Sequence, residues 1–165
     1  MLGTITQWIA GLAGDTQQKA VRVPMKAIGD RMSSCTTSTA GLVIHGGGST
    51  LAKTGAVAYQ GIAQGTPVTI AASTDMPALV GSITAGSYNV FMFFIDQSSN
   101  VTVAMGIEGT TLAKVKFPAI PEGKAIVGYL IVTYASQFVG GTTALDTATT
   151  NYVSPVGAFD PTIFI

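Results

Sequence analysis

The part of this sequence most similar to a catalytic element is a histidine followed by three glycines, His45-Gly46-Gly47-Gly48. Some esterases use such a loop to stabilise an oxyanion, together with a nucleophile on a Gly-x-Ser-x-Gly elbow and a separate catalytic histidine. His45 is the only histidine of the chain, and the elbow motif does not occur. The stretch therefore predicts a strand that ends in a flexible glycine turn.

Two lysines lie in segments that weakly resemble phosphate-binding loops. Such a loop requires glycine before the lysine, serine or threonine after it, and a helix that follows. Ala52 precedes Lys53, and Ala125 follows Lys124. The residues after both lysines have β-strand character. Neither lysine therefore indicates nucleotide binding.

The carboxylates and the thiol form no catalytic or metal-binding pattern. A glycosidase pair or a hard-metal site needs at least two carboxylates that converge on one point. Asp96 and Glu108 instead lie at separated positions of one predicted hairpin, and Cys35 is the single cysteine. One cysteine excludes an internal disulfide and a multi-cysteine zinc site. We predict no enzymatic activity and no catalytic, metal-binding or cofactor-binding residue.

The composition combines few charges with many apolar residues. Charged residues make up 10% and hydrophobic residues 47% of the 165 residues, whereas an average soluble domain has about 25% charged residues. No apolar run approaches the roughly 20 residues of a membrane-spanning helix, and the N-terminus lacks a signal-peptide pattern. A surface with so little charge favours association. The composition predicts a structural protein that packs against copies of itself and against partner proteins.

Residues 1–38 form a predicted N-terminal arm with a net charge of +2, from four basic and two acidic residues. Its first helix is indicated by four apolar residues at the spacing of one helical face, Ile5, Trp8, Ile9 and Leu12. A second helix is predicted from Asp15 towards Val21. Pro24 predicts a break there, because proline removes a backbone donor and clashes with the preceding turn.

The basic residues of the arm suggest docking onto an acidic protein surface. If the second helix continued to Lys26, three basic residues would share one of its faces, Lys19, Arg22 and Lys26. The arm is too weakly charged for nucleic-acid binding and has no aromatic platform. The candidate docking residues are Trp8 as an apolar anchor and the four basic side chains, Lys19, Arg22, Lys26 and Arg31. The alternative is that these residues pack on their own domain.

Residues 39–165 form a predicted β domain, separated from the arm by a small polar linker at Ser33–Thr39. Its short β-type runs are spaced by Gly, Pro, Ser and Thr, which is typical of an antiparallel β-sandwich, including a jelly roll. The predicted strands are Gly41–His45, Gly55–Gln60, Thr66–Ala71, Tyr88–Asp96, Val101–Ile107, Leu112–Phe117 and Ala125–Tyr134. The apolar end of the sequence, Phe159–Ile165, is expected to pack as a final strand on its own domain or on a neighbouring subunit.

The strand Tyr88–Asp96 is apolar on both faces, which predicts a position between two layers. Val90, Met92 and Phe94 alternate with three further apolar residues, Phe91, Phe93 and Ile95. The turn Gln97–Asn100 joins this strand to Val101–Ile107 in a predicted hairpin. The second arm of the hairpin is apolar on one face only.

Two segments of the β domain carry a family resemblance. Phe117–Tyr129 reads FPAIPEGKAIVGY, and Phe138–Asp146 reads FVGGTTALD. Together with the upstream strand Tyr88–Phe91, these segments resemble the small virion structural proteins of tailed bacteriophages. The prolines stiffen the approach to the strand and Gly123 permits the turn, so the shared residues determine the fold and carry no catalytic role.

The resemblance implies a place in the phage particle. Its first implication is a capsid decoration, or cement, protein that binds the major capsid protein, with a head-fibre, head–tail or tail component as the alternative. Decoration proteins of this kind are commonly oligomers, so a homotrimer is favoured, made in the host bacterial cytoplasm and located on the virion. A carbohydrate-binding or receptor-binding β-sandwich at a fibre tip is the competing function. No cofactor, nucleic acid or membrane is expected as a partner.

Overall fold

The structure, a computed structural model, describes residues 15–159. The predicted first helix around Ile5, Trp8, Ile9 and Leu12 lies outside these residues. The described part of the chain begins with helix α1, Asp15–Met32, and continues with strands and one short 3-10 helix, Leu112–Lys114. The strands are β1 Cys35–Thr36, β2 Val43–Ile44, β3 Ala52–Lys53, β4 Tyr59–Ala63, β5 Thr66–Ile70, β6 Ser82–Ile83, β7 Tyr88–Ile95, β8 Val101–Met105, β9 Ala125–Thr133, β10 Phe138–Val139 and β11 Thr149–Val153.

All strand pairs of the described residues are antiparallel, and they form sheets of four, three, two and two strands. The four-stranded sheet has the order β11-β9-β7-β8, and the three-stranded sheet has the order β1-β4-β5. The predicted fold class is confirmed: the chain is mainly β, of the antiparallel β-sandwich type, with an N-terminal helical segment. The jelly-roll connection of the strands stays a prediction.

Strand β7 lies at the centre of the four-stranded sheet and is buried on both faces, as its sequence predicts. Phe91, Phe93 and Ile95 enter the main core, which also contains Leu130 and Phe138. On the opposite face, a smaller apolar cluster contains Met92, Phe94 and Ile126. This two-sided burial requires a layer on each face of the sheet.

Hydrogen bonds of buried side chains tie the three-stranded sheet to β9. The hydroxyl groups of Thr36 in β1 and Tyr59 in β4 both donate to the carbonyl oxygen of Ile126, and they lie 3.3 Å from each other. Burial raises the pKa of the Tyr59 hydroxyl. These bonds satisfy polar groups that would otherwise be costly to bury.

Strand β1 lies inside the segment Ser33–Thr39, which the sequence predicted as a linker. Cys35 pairs with Ile62 and Thr36 with Gly61 of β4. The prediction of a linker was wrong, because small polar residues form a strand here when a neighbouring edge offers hydrogen-bond partners. The division of the chain at residue 38 stays a prediction, although β1 on its N-terminal side belongs to a sheet.

The prediction of a strand at Leu112–Phe117 was wrong over its first half. Ile107 and Lys116 pair as an isolated antiparallel bridge, so the chain between them must reverse its direction. It does so through the 3-10 helix Leu112–Lys114. Strand β11, which no alternating pattern predicts, pairs with β9 from Thr149 to Val153.

The prediction that Pro24 breaks the second helix was also wrong, because α1 continues through Pro24 to Met32. A proline inside a helix removes one backbone hydrogen bond and places its ring against the preceding turn. Every side chain of residues 20–29 whose exposure is described is solvent-exposed, so no packed neighbour opposes the proline ring.

Gly128 in β9 is a position where the packing of the sheet admits no side chain. A methyl group there would lie 2.6 Å from the Leu42 side chain and 2.7 Å from the carbonyl oxygen of Val153. We expect Gly128→Ala to lower the free energy of unfolding by about 1–3 kcal/mol, measured by denaturant titration. Gly46→Ala is the matched control, because nothing lies within 4 Å of the added methyl. An equal effect of both substitutions would contradict the close packing of β9.

Candidate functional site

The glycine-rich loop that follows His45 is held by carboxylates. It connects β2 to β3. The His45 imidazole Nδ1 lies within hydrogen-bond distance of the Asp75 carboxylate, and the two side chains are 51% and 46% exposed. The backbone N–H of Gly48 donates to Oδ2 of Asp146 at 2.7 Å. This hydrogen bond fixes the turn and occupies the Gly48 N–H, which is one of the donors that an oxyanion site would need.

Asp96 and Glu108 stabilise separate turns. Asp96 accepts hydrogen bonds from the backbone N–H groups of Ser98 and Asn100, at 2.9 and 3.0 Å, and so closes the β7–β8 turn. Glu108 accepts from the N–H and hydroxyl of Thr84, at 3.0 and 2.8 Å. These hydrogen bonds to the ionised form lower the pKa of both carboxyl groups.

No group of three potential metal ligands occurs among the described residues. Cys35 is a free, half-buried thiol in β1. No helix in the described range, 15–159, is long and apolar enough to cross a membrane.

Four of the five candidate docking residues belong to helix α1. Because α1 continues past Lys26, the backbone positions of Lys19, Arg22 and Lys26 do share one helical face. Arg22 and Lys26 are exposed, and the Lys26 ammonium forms an ion pair with Glu122 in the loop before β9. Arg31 also lies on the helix; the side chains of Lys19 and Arg31, and all of Trp8, fall outside the described part.

A second face of α1 is apolar and exposed, and sequence reasoning missed it. Val21, Met25 and Ile28 follow one another at four and three residues, so they form a stripe along the helix. Their side chains are 38%, 55% and 59% exposed. The spacing is readable in the sequence, but the assumption that Pro24 ends the helix separated Val21 from the other two residues. We call these three residues the apolar stripe.

An apolar groove lies on the second face of the four-stranded sheet, between β7, β9 and the 3-10 segment. It encloses about 780 Å³. The ring of Tyr129 packs edge-on against Phe117, with centroids 5.1 Å apart, and stacks on Phe159, with centroids 5.7 Å apart. Burial raises the pKa of the Tyr129 hydroxyl. The lining residues are Val90, Leu112, Ala113, Val115, Phe117, Tyr129, Ile131 and Phe159.

The site therefore consists of two surfaces that suit association, the exposed helix and the apolar groove. The described lining of the groove is apolar, whereas the helix carries its apolar stripe beside a basic face. No family model, no curated protein and no solved structure matches this chain.

The hydrogen bonds of Asp96 make the stability of the fold depend on pH. Its pKa is lowered in the folded state, so the ionised carboxylate stabilises the fold above the ordinary pKa of aspartate, and this contribution is lost as the pH falls through the lowered value. We expect Asp96→Asn to be less stable than the wild type at neutral pH, and the difference to shrink with acidification.

The measurement is denaturant unfolding at a series of pH values. Glu122→Gln is the control, because it removes an exposed ion pair that contributes little to stability. A difference for Asp96→Asn that does not change between neutral and strongly acidic pH would show that the carboxylate does not act through its charge.

Proposed function

We propose that this chain is a capsid decoration, or cement, protein of a tailed bacteriophage. It is non-catalytic and stabilises the head by binding the major capsid protein through surface burial. The observation that carries the proposal is helix α1, which extends from a well-packed β domain with an apolar stripe and a basic face both exposed. The resemblance of Phe117–Tyr129 and Phe138–Asp146 to phage virion proteins directs the proposal to this class of partner.

The two faces of α1 have complementary uses in docking. Burial of Val21, Met25 and Ile28 against a shell protein supplies affinity, at about 1.5–3 kcal/mol for each fully buried side chain. The basic face, with Arg22 and Lys26, favours an acidic partner surface and sets the orientation of the helix. The Lys26 ammonium also forms an exposed ion pair with Glu122 of the β domain in the same chain, which favours a position of the helix beside the body that it would attach to the shell.

The low charge of the chain supports self-association as well. Several apolar side chains of the β domain are exposed, among them Val57, Val80 and Val156 at 70%, 72% and 59%. A homo-oligomer, with a trimer favoured, would bury part of this surface on the virion. The protein would be made in the host bacterial cytoplasm and would need no cofactor, nucleic acid or membrane.

A head-fibre, head–tail or tail component with a carbohydrate-binding β-sandwich is the second candidate. The aromatic rings of the groove favour it, since sugars stack on exposed aromatic faces. Phe159 already stacks on Tyr129, however, which leaves less ring surface for a sugar. A glycan array that gives binding abolished by Tyr129→Ala would favour this candidate over shell decoration.

The position in the particle is tested by quantitative mass spectrometry of intact phage particles that encode this chain. We expect a copy number comparable to that of the major capsid protein, because a decoration protein repeats over the whole shell. A copy number as low as that of a vertex or tail component would contradict decoration and favour the second candidate. Absence of the chain from the particles would contradict both.

The docking role of the apolar stripe is tested in the full-length chain. We expect the triple variant Val21→Ser, Met25→Ser, Ile28→Ser to bind particles that lack the native protein at least about tenfold more weakly than the wild type, because apolar burial is lost. The matched control is Val57→Ser, Val156→Ser, which removes exposed apolar side chains from the β domain. Light scattering of both variants separates shell binding from oligomer formation, and unchanged binding of the triple variant would overturn the docking role.

A further inference from the structure

The apolar groove lies directly beside the point where the described part of the chain ends. Phe159 is the last described residue, and its ring lines the groove and stacks on Tyr129. The sequence continues with Asp160-Pro161-Thr162-Ile163-Phe164-Ile165. Three consecutive large apolar residues therefore follow the groove within a short distance along the chain.

The groove has the chemistry of a site for apolar side chains. Its floor is the sheet face formed by Val90, Tyr129 and Ile131, and its opposite wall is the segment that carries Leu112 and Val115. Among residues 15–159, no charged side chain lines the groove. Its volume of about 780 Å³ lies in the range of about 300–1,000 Å³ that encloses a drug-sized ligand, which corresponds to a few apolar side chains.

We propose that the groove binds the C-terminal segment of its own chain, with Ile163, Phe164 and Ile165 as the side chains that fill it. This assignment goes beyond the proposed function and does not depend on it. Bound in this way, the segment would cover the second face of the sheet next to Met92 and Phe94, where the main core does not reach.

The short connection favours the segment of the same chain over that of a second copy. Phe164 lies five positions after Phe159, and an extended chain of five steps spans up to about 17 Å. A short tether gives an effective concentration in the millimolar range, far above that of another molecule in dilute solution. Pro161 restricts the backbone of the tether and so lowers the entropy lost on binding.

Exposure of this apolar segment to water would be unfavourable, which also supports its binding in the groove. An exposed run of Ile-Phe-Ile is an apolar patch that promotes aggregation. The open groove would expose the half-buried rings of Phe117 and Tyr129 as well. Binding removes both surfaces from water in one step, and the hydrophobic gain grows with the area removed.

The direct test is NMR of the full-length chain with labelled isoleucine methyl groups and phenylalanine rings. We expect nuclear Overhauser contacts between the Phe164 ring and the Ile131 methyl group, with Phe164→Leu used to assign the ring signals. The contacts should persist on dilution and should be absent from an isotope-filtered spectrum of mixed labelled and unlabelled chains, because both groups belong to one molecule.

Two results would overturn the proposal. Contacts seen only between labelled and unlabelled chains would assign the groove to the segment of a second copy. No contact between Phe164 and any lining residue would show that the segment does not bind there. Neither result bears on particle binding through helix α1, so the two proposals fail separately.

A second readout uses a fluorescent dye that binds exposed apolar surface. We expect the double variant Ile163→Ser, Phe164→Ser to raise dye binding roughly tenfold, because loss of the buried side chains opens the groove. Ile107→Ser is the matched control, since Ile107 is an exposed apolar residue that does not line the groove. Equal dye binding by the wild type and the double variant would contradict a groove that is covered by the segment.

Discussion

The rest of the structure depends on the burial of strand β7 on both of its faces. A strand with apolar side chains on one face needs a single covering layer, whereas Tyr88–Ile95 requires two. Its first face receives the main core, in which Phe91 packs on Phe138 with ring centroids 5.9 Å apart. Its second face receives the smaller cluster around Met92 and Phe94, together with the loops that surround the groove. The long pairing with β9 places this strand at the centre of the domain.

Three carboxylates of the described β domain hold turns and loops. Asp96 closes the β7–β8 turn, Glu108 binds the loop at Thr84, and Asp146 fixes the glycine loop at Gly48. For Asp96 and Glu108, these hydrogen bonds stabilise the ionised carboxylate and lower its pKa. These three acids therefore contribute to the fold by fixing loops of the β domain.

The two candidate surfaces differ in their relation to the β domain. The groove is part of the domain, because its floor is the sheet and its wall is the loop that Ile107 and Lys116 close. Helix α1 instead precedes the first strand, and its ion pair through Lys26 joins it to the domain.

Elements with a local signal could be predicted from the sequence alone. The alternation of apolar residues in Tyr88–Ile95 predicts both the strand and its two faces, because the side-chain period of a strand is two. Tertiary structure alone decided where distant segments pair: β11 on β9, Cys35–Thr36 on β4, and the reversal at Leu112. These pairings depend on partners far along the chain, which no local period encodes. The same reason hid the groove, because its floor and its wall come from segments far apart in the sequence. The apolar stripe was missed for a different reason, since its spacing is local but the helix was expected to end at Pro24.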